Sequence, residues 1–221
     1  MRSDAGEEPT TRVPLTRERL LSGAIAVADA GGLGALTIRS LAEKLGVKPM
    51  TLYHHVANKE EILDGMIDAV FGEIALPPPD AGWRSAIRER ALSARQVLRR
   101  HPWAIALMDS RRSPGPATLR HHEAVIATLR RGGFPIEAVG HAYSLLDSYT
   151  YGFAVQEAAL PMDADDAPLM VEVFLEQLDP DTYPNLADLA MEFASGRAGE
   201  DVDEFEVGLD LVLDSLERLL A

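Results

Sequence analysis

LTIRSLAEKLGVKPMTLYHHVANK, residues 36–59, predicts the local structure from which the rest of the chain can be interpreted. Apolar residues recur at helical spacing after Thr37, a candidate N-cap, so the first half predicts a short amphipathic helix. Gly46 can end that helix, and Pro49 suits the first position of the next one, because its φ is preset and it has no N–H to satisfy. Asn58 resembles the N-cap of a further helix. Two short helices joined by a glycine turn predict a helix-turn-helix unit, whose second helix can lie in the DNA major groove.

An ordinary helical hairpin buried in an all-α domain is the alternative for this segment. Leu52 and Val56 are expected to face inward, which leaves polar and aromatic side chains on the other faces of the second helix. Hydroxyl, imidazole and ammonium groups suit phosphates and base edges. The composition of the outer faces therefore favours a DNA-reading helix over a purely structural hairpin.

The stretch LTIRSLAEKLGVKPMTLYHHVANKEEILDGM, residues 36–66, resembles the DNA-binding segment of the tetracycline-repressor (TetR) family. The shared residues are the LT-x-R-x-LA-x-x-LGV run, the TLY of the recognition helix and the V-x-NK before the next helix. With the first helix, the resemblance covers about residues 14–72, and it is one of pattern beyond them. It is strongest there at GLDLVLDSLE, residues 208–217, which resembles the terminal dimerisation helix of some members. The resemblance implies a three-helix DNA-binding head followed by a larger helical body that binds a small molecule and dimerises.

Composition narrows the class of protein. The chain has 221 residues, of which 47% are hydrophobic, and no cysteine, so a disulfide framework and a cysteine zinc site are excluded. The N-terminus carries no apolar secretory segment, and no apolar run is long enough to cross a membrane. We therefore expect a soluble, cytoplasmic protein with no membrane partner.

The net charge of −14 at first argues against a DNA-binding protein. Residues 1–60, however, hold 8 Lys/Arg and 7 Asp/Glu, a net of +1, whereas residues 61–221 hold 13 and 28, a net of −15. Repulsion from phosphate should turn the acidic body away from DNA and leave the near-neutral head to make contact. This distribution excludes a general nucleic-acid coat protein and requires specificity from the recognition helix.

The remaining pattern is entirely helical, so the sequence predicts an all-α fold. Residues 1–13 are expected to be a disordered arm, residues 14–60 the helix-turn-helix domain, and residues 61–221 the effector-binding and dimerisation domain. The first helix should begin after Thr16 and stop at Gly31 and Gly32. Further helices are expected at about 59–74, 83–100, 103–108, 117–131, 136–159, 168–178, 185–194 and 202–220.

Candidate DNA contacts lie in and around the two helices of the motif. Arg39 suits bidentate contact with guanine or phosphate, although a salt bridge to Glu43 is its alternative role. Lys48 departs from the small hydroxyl residue that many relatives carry, so it weakens the cap and adds at best a phosphate contact. The resemblance implies phosphate contacts for the Tyr53 region, and Lys59 adds charge at a helix N-terminus. The predicted DNA-contacting set is Thr37, Arg39, Lys48, Pro49, Met50, Thr51, Tyr53, His54, His55 and Lys59.

The resemblance also implies a ligand cavity among the middle helices. Large residues there could line it, although such a stripe is equally compatible with ordinary core. The candidates are Trp103, Met108, His141, Tyr143, Leu146, Asp147, Tyr149, Tyr151, Phe153 and Gln156, with Asp147 or His141 as polar anchors. Gln156 stands where tetracycline-binding members keep an acidic residue near their metal, and no histidine matches their metal ligand. We expect no metal and no cofactor, and a hydrophobic or aromatic effector.

Two other functional classes remain open from the sequence. Adjacent histidines, His54–His55 and His121–His122, could suggest a metal protein or enzyme, but neighbours on a helix point about 100° apart and chelate poorly. No Ser/His/Asp or phosphate-loop signature occurs. A helical small-molecule-binding or adaptor protein without DNA binding is the second alternative. The favoured interpretation is a homodimeric, ligand-responsive repressor of a palindromic double-stranded DNA operator.

Overall fold

A computed structural model describes residues 14–108, 113–159, 173–194 and 203–220, and all regular structure within these ranges is helical. The predicted all-α fold is therefore confirmed. The predicted arm at 1–13 lies outside the described residues, as do residues 168–172 of the helix expected at 168–178, whereas 173–177 are helical. The helices are α1 (Arg17–Ala35), α2 (Ile38–Leu45), α3 (Pro49–Leu52), α4 (Lys59–Glu73), α5 (Trp83–Arg100), α6 (Pro102–Met108), α7 (Pro116–Arg131), α8 (Ile136–Ala159), α9 (173–177), α10 (Pro184–Ala194) and α11 (Glu204–Leu216).

The helix starts of the head follow the predicted caps. Thr37 and Ser40 form a reciprocal capping box, in which the Ser40 N–H donates to Thr37 Oγ1 at 3.0 Å and the Thr37 N–H donates to Ser40 Oγ at 2.9 Å. Asn58 Oδ1 accepts from the Glu61 N–H at 2.9 Å and opens α4. The Glu61 carboxylate reaches one residue further back than a standard box and accepts from the Ala57 N–H at 2.7 Å.

The predicted stop of the first helix at Gly31 and Gly32 is present: the chain leaves helical geometry at Gly32, where φ is 71° and ψ is 176°, and is helical again to Ala35. Glycine permits this turn because it has no Cβ to clash at positive φ. α3 is a single turn, after which the N–H groups of His54 and His55 bond to carbonyls three residues back. The last helix begins at Glu204, capped by Asp203, and ends in a 3₁₀ turn.

Two hydrophobic clusters hold the helices together. The first joins α1–α4 to the later part of α5, to α6 and to Ala154 of α8. The second lies between the earlier part of α5 and α7, α8 and α11, with Phe205, Leu209 and Leu213 fully buried. The first cluster runs from the recognition unit into the body, so the head is packed as a continuation of the body and not as a tethered module.

Two helices connect the head to the body directly. α4 packs on α1 of the head and on α7 of the body, and α6 packs on α1, α4 and α8. A displacement of either helix must therefore be accommodated by the head. This arrangement places α4 and α6 between the recognition unit and the long helix α8.

Candidate DNA interface and ligand cavity

The turn between α2 and α3 has the geometry of a helix-turn-helix. Gly46 adopts the left-handed conformation, with φ of 67°, and its N–H bonds back to the last turn of α2. Leu41, Leu45 and Leu52 are buried on the inner side of the two helices. These contacts fix α3 against α2 and leave the opposite side of α3 open to solvent.

None of the predicted DNA contacts is buried. Met50 is 71% exposed and Tyr53 is 46% exposed. Thr51 and His55 are half-buried, and the remaining members of the predicted set are exposed. The surface thus offers methyl, hydroxyl, imidazole and ammonium groups around the start of α3, as reading of base edges requires.

Two details of this surface bear on the alternatives. Among the described residues Arg39 forms no ion pair with Glu43, so its guanidinium is not held by the salt bridge considered as its alternative role. Lys48 occupies the N-cap of α3 without a side-chain capping bond. The Thr37 hydroxyl is engaged in the capping box, so its role in the structure is to start α2.

Two cavities open beside α8 in the body. One has a volume of about 850 Å³ and lies between α6 and α8, with Ile105, Ala106 and Val155 in its wall. The other measures about 360 Å³ and is bounded by α4, α7, α8 and residues 113–115. Both are lined by Tyr143, Asp147 and Tyr151, which stand four residues apart on one side of α8. We call these three residues the α8 junction.

Several predicted ligand residues line these cavities. Tyr143, Asp147 and Tyr151 form the junction itself, and Met108 contributes to the smaller cavity. Sequence reasoning missed Ile67 and Phe71 of α4, which also face the smaller cavity. Their helical spacing identified them only as apolar residues, since it cannot distinguish a cavity wall from core.

The other predicted ligand residues do not line these two cavities. Trp103 is buried in the first cluster and Leu146 in the second. Tyr149 and Phe153 pack against Phe205 of α11, and the Tyr149 hydroxyl donates to the Phe205 carbonyl at 2.9 Å. These residues face α5 and α11 because each step along a helix turns the side chain by about 100°. The polar candidates His141 and Gln156 are exposed to solvent and line neither cavity.

A buried ion pair lies behind the α8 junction. The Arg90 guanidinium, on α5, is 1% exposed and lies 2.9 Å from Asp147 Oδ1 through its NH2 nitrogen. The Arg90 Nε–H donates to His121 Nε2 at 2.9 Å. Since Nε2 accepts, the neutral ring of His121 carries its proton on Nδ1, which is buried and has no hydrogen-bond partner among the described residues. Burial, the nearby Arg90 charge and His122 lower the pKa of His121 to about 3.

The next histidine belongs to the cavity wall. His122 lines the smaller cavity, and its Nδ1 is hydrogen-bonded to the Tyr143 hydroxyl. Burial lowers the pKa of His122, although the nearby Asp147 charge opposes this, and burial together with Asp147 raises the pKa of Tyr143. At neutral pH the wall therefore presents a neutral imidazole and a neutral phenol beside the Asp147 carboxylate.

A polar cluster joins the head to the body. Asp29 Oδ1, on α1, accepts the Trp103 Nε1–H at 2.6 Å and lies 2.8 Å from His101 Nδ1. The other ring nitrogen of His101 lies 3.3 Å from Glu73 Oε2 at the end of α4. Burial opposes ionisation of Glu73, but hydrogen bonds from Arg100 and His101 give a net lowering of its pKa. We call the contact of Asp29 with His101 and Trp103 the α1 clasp.

The described residues contain neither a metal-binding cluster nor a membrane-spanning helix. No group of three His, Asp or Glu side chains in these residues is arranged to hold a metal ion. No described helix combines the length and apolar character needed to cross a membrane.

Comparison with known families matches both parts of the chain. Residues 20–66 match the family described as bacterial regulatory proteins, tetR family. Residues 76–220 match the tetracyclin repressor-like C-terminal domain. Together the two matches cover the helix-turn-helix and the cavity-bearing body.

Individual relatives agree with these matches. The transcriptional repressor DrrR1 of Streptomyces coeruleorubidus is 34% identical over 230 aligned positions, which cover 100% of this chain and 82% of the relative. The regulator SCO7222 of Streptomyces coelicolor superposes with a TM-score of 0.78 at 31% identity, covering 94% of this chain and 100% of that one. ActR of Streptomyces coelicolor, in complex with actinorhodin, gives a TM-score of 0.77 at 29% identity, with 92% and 96% covered. The chain therefore belongs to the TetR family and is a DNA-binding transcriptional regulator.

Proposed function

We propose that this regulator is a homodimeric repressor that leaves a near-palindromic operator when a small effector occupies the cavities beside α8. The observation that carries the proposal is the position of α4 and α6, which line the cavities on one side and pack on the head on the other. Residues 14–60 act as the DNA-binding unit and residues 61–221 as the effector-binding and dimerisation unit. The protein works in the cytoplasm, where its operator is accessible.

The α2–α3 unit reads the operator. Met50 and Thr51 of α3, together with Tyr53 directly after it, contact base edges and thymine methyl groups in the major groove. Arg39, Lys48 and Lys59 are exposed around it and contact phosphates. Two copies of α3 enter successive major grooves about 34 Å apart, so the operator consists of two related half-sites.

Dimerisation is supported by an apolar face that the single chain leaves open. Val207 and Leu211 of α11 are exposed, although the opposite side of the same helix is fully buried. Leu145 of α8, which packs beside α11, is exposed as well. Large apolar residues exposed on two neighbouring helices are typical of a surface covered by a partner, here a second copy of this chain.

The cavities support binding of a drug-sized molecule. Their volumes of about 850 and 360 Å³ fall in the range of ligand sites. The wall of the larger cavity is mostly apolar, with Ile105 in it, whereas the smaller cavity combines Phe71 and Met108 with the polar residues Asp64, Thr118 and His122. A hydrophobic or aromatic effector with a few polar substituents fits this distribution. The complex of ActR with actinorhodin is in line with such an effector.

Coupling between the cavity and DNA follows from the packing of α4 and α6. An effector that touches Ile67 or Phe71 bears on α4, which starts directly after the recognition unit. An effector that touches Ile105 bears on α6, and residues at the start of α6 hold α1 through the clasp. The effector releases DNA if it binds more tightly to the conformation in which the two heads are wrongly spaced.

An operator-release experiment tests this proposal. A labelled operator bound by the protein is titrated with aromatic compounds, and release is compared with direct binding to DNA-free protein. The proposal expects that compounds which bind the body also lower operator affinity. A compound that saturates the cavity and leaves operator affinity unchanged would contradict the coupling.

A further inference from the structure

We propose that the effector is a neutral or cationic molecule with a hydroxyl or amine that donates to Asp147, and that the cavities select against carboxylates, sulfonates and phosphates. This inference rests on the proposed function, because it concerns the ligand of the same cavities. It adds the charge and the hydrogen-bonding character of that ligand. It also assigns Asp147 as the specificity-determining residue and Arg90 as its positioning partner.

A ligand in the cavities can contact carboxylates but not the Arg90 guanidinium. Two carboxylates, those of Asp64 and Asp147, line the cavities. Arg90 offsets the charge of Asp147, but its side chain is 1% exposed and lies behind the junction. The Asp147 side chain is 17% exposed and lines both cavities. A ligand at the junction therefore meets the carboxylate and not the guanidinium.

The second step concerns the neutral polar groups at the junction. His122 and Tyr143 are bonded to each other and stay uncharged at neutral pH, as their shifted pKa values indicate. Neither group supplies a positive charge that could compensate an acidic ligand. A ligand hydroxyl or ammonium next to Asp147 gains a charge-assisted hydrogen bond, while a ligand carboxylate meets like charge in a partly desolvated site.

The third step concerns how the Asp147 carboxylate is held. Arg90 approaches it at 2.9 Å and is itself fixed by its bond to His121. The attraction of the buried guanidinium holds the carboxylate in place and leaves few rotamers open to it. This arrangement preorganises a negatively charged acceptor at the point where the two cavities meet, so that binding does not require its reorientation.

The net charge of the whole body also favours a cationic ligand over an anionic one. Residues 61–221 carry 13 Lys/Arg against 28 Asp/Glu, a net of −15 by sequence. A strongly negative field lowers the local concentration of anions and raises that of cations around the cavity mouth. Long-range charge and local lining therefore favour the same class of ligand.

The test uses a matched series of probes, namely anthracene carrying a methylamine, a hydroxymethyl or a carboxylate group at the same ring position. Binding to the full-length protein is followed by probe fluorescence at neutral pH. The amine and the alcohol are expected to bind at least about tenfold more tightly than the carboxylate, which corresponds to one lost charge-assisted contact. If the carboxylate binds as tightly as the amine, the proposed selectivity is overturned while the effector cavity itself stands. If all three probes fail to bind, both the inference and the proposed aromatic effector site are contradicted.

Variants assign the selectivity to Asp147. Asp147→Asn should abolish the preference for the amine, because it removes the acceptor charge and leaves Arg90 uncompensated. Since that loss destabilises a buried pair, the double variant Arg90→Met/Asp147→Asn removes both charges and should bring the three affinities within about twofold of one another. Glu137→Gln removes an exposed carboxylate from the first turn of α8 and should keep the tenfold ratio. Equal ratios in wild type and in the double variant would overturn the assignment.

Discussion

The Asp29 carboxylate on α1 and the Trp103 indole on α6 are joined by a hydrogen bond of 2.6 Å from Nε1 to Oδ1. His101, which ends α5, adds a second contact to the same oxygen at 2.8 Å. A side chain of the DNA-binding head is thus held by two side chains of the body. Because α6 also lines the larger cavity, this contact is one of the direct links between effector site and head.

The first prediction concerns this clasp. Asp29→Ala should weaken operator binding by about threefold to thirtyfold, in line with coupling contributions of 0.5–2 kcal/mol. Amide exchange in α2 and α3 should accelerate, because the head loses a restraint, whereas exchange in α8 and α11 should not change. Asp29→Asn keeps an oxygen acceptor for both donors and should restore most of the wild-type behaviour. Accelerated exchange throughout the body would indicate general destabilisation and contradict a specific role.

The second prediction concerns DNA contact. Tyr53→Ala should reduce operator affinity by roughly tenfold or more, since it removes an exposed aromatic from the start of the recognition surface without opening the core. Lys59→Ala should weaken binding to all sequences alike and lower the slope of log affinity against log salt by about one. Arg130→Ala removes a positive charge from the exposed end of α7 and serves as the control, with no expected change. An adaptor protein would be indifferent to all three substitutions.

The third prediction concerns assembly. Leu211 is 66% exposed in the single chain, so Leu211→Glu should leave each protomer folded and yet place a charge in the dimer interface. Light scattering after size exclusion should then give the chain mass of 24.0 kDa instead of twice that value. Leu119→Glu alters an equally exposed leucine of α7 and should leave the dimer intact. If Leu211→Glu remains dimeric, the interface lies on another surface.

The fourth prediction concerns acid stability. Burial and the Arg90 charge keep the pKa of His121 at about 3, far below its ordinary value of 6.5. Between these values the unfolded chain binds a proton that the folded chain does not, so stability falls as pH falls through this window. The loss from this group is roughly 1.4 kcal/mol for each pH unit.

The variant His121→Gln isolates that contribution. Glutamine can still accept the Arg90 Nε–H but does not titrate. The free energy of unfolding of the variant should therefore depend less steeply on pH below 6.5 than that of the wild-type protein. Urea unfolding at a series of pH values measures both slopes. Identical slopes in the variant and in wild type would show that His121 is not held neutral in the folded chain.

The local structure of the head was predictable because its signals are local. Thr37, Gly46, Pro49 and Asn58 each act on backbone groups within a few residues, and the structure places them in the predicted roles. The length of α3 was not predictable in this way. It depends on how Val56 packs and on which N–H groups the Leu52 carbonyl accepts, and neither is a property of the local pattern.

The ligand site was predictable only in part, since its residues come from separate helices. The spacing of Tyr143, Asp147 and Tyr151 places them on one side of α8, but the same periodicity also placed Tyr149 and Phe153 among the candidates. Contact with α11 buries the latter pair, and that contact joins residues more than fifty positions apart in sequence. The Arg90–Asp147 pair was not predictable for the same reason, since no pattern in the sequence links α5 to α8.

The most direct test of the account is selection of DNA sites from a random duplex pool, followed by titration of the selected site at several salt concentrations. The account predicts a palindromic site with half-site centres about one helical turn apart, bound with a steep loss of affinity as salt rises. Tyr53→Ala and Leu211→Glu should each lose this binding. No enriched sequence, or a site without two-fold symmetry, would contradict a dimeric reader built on α3.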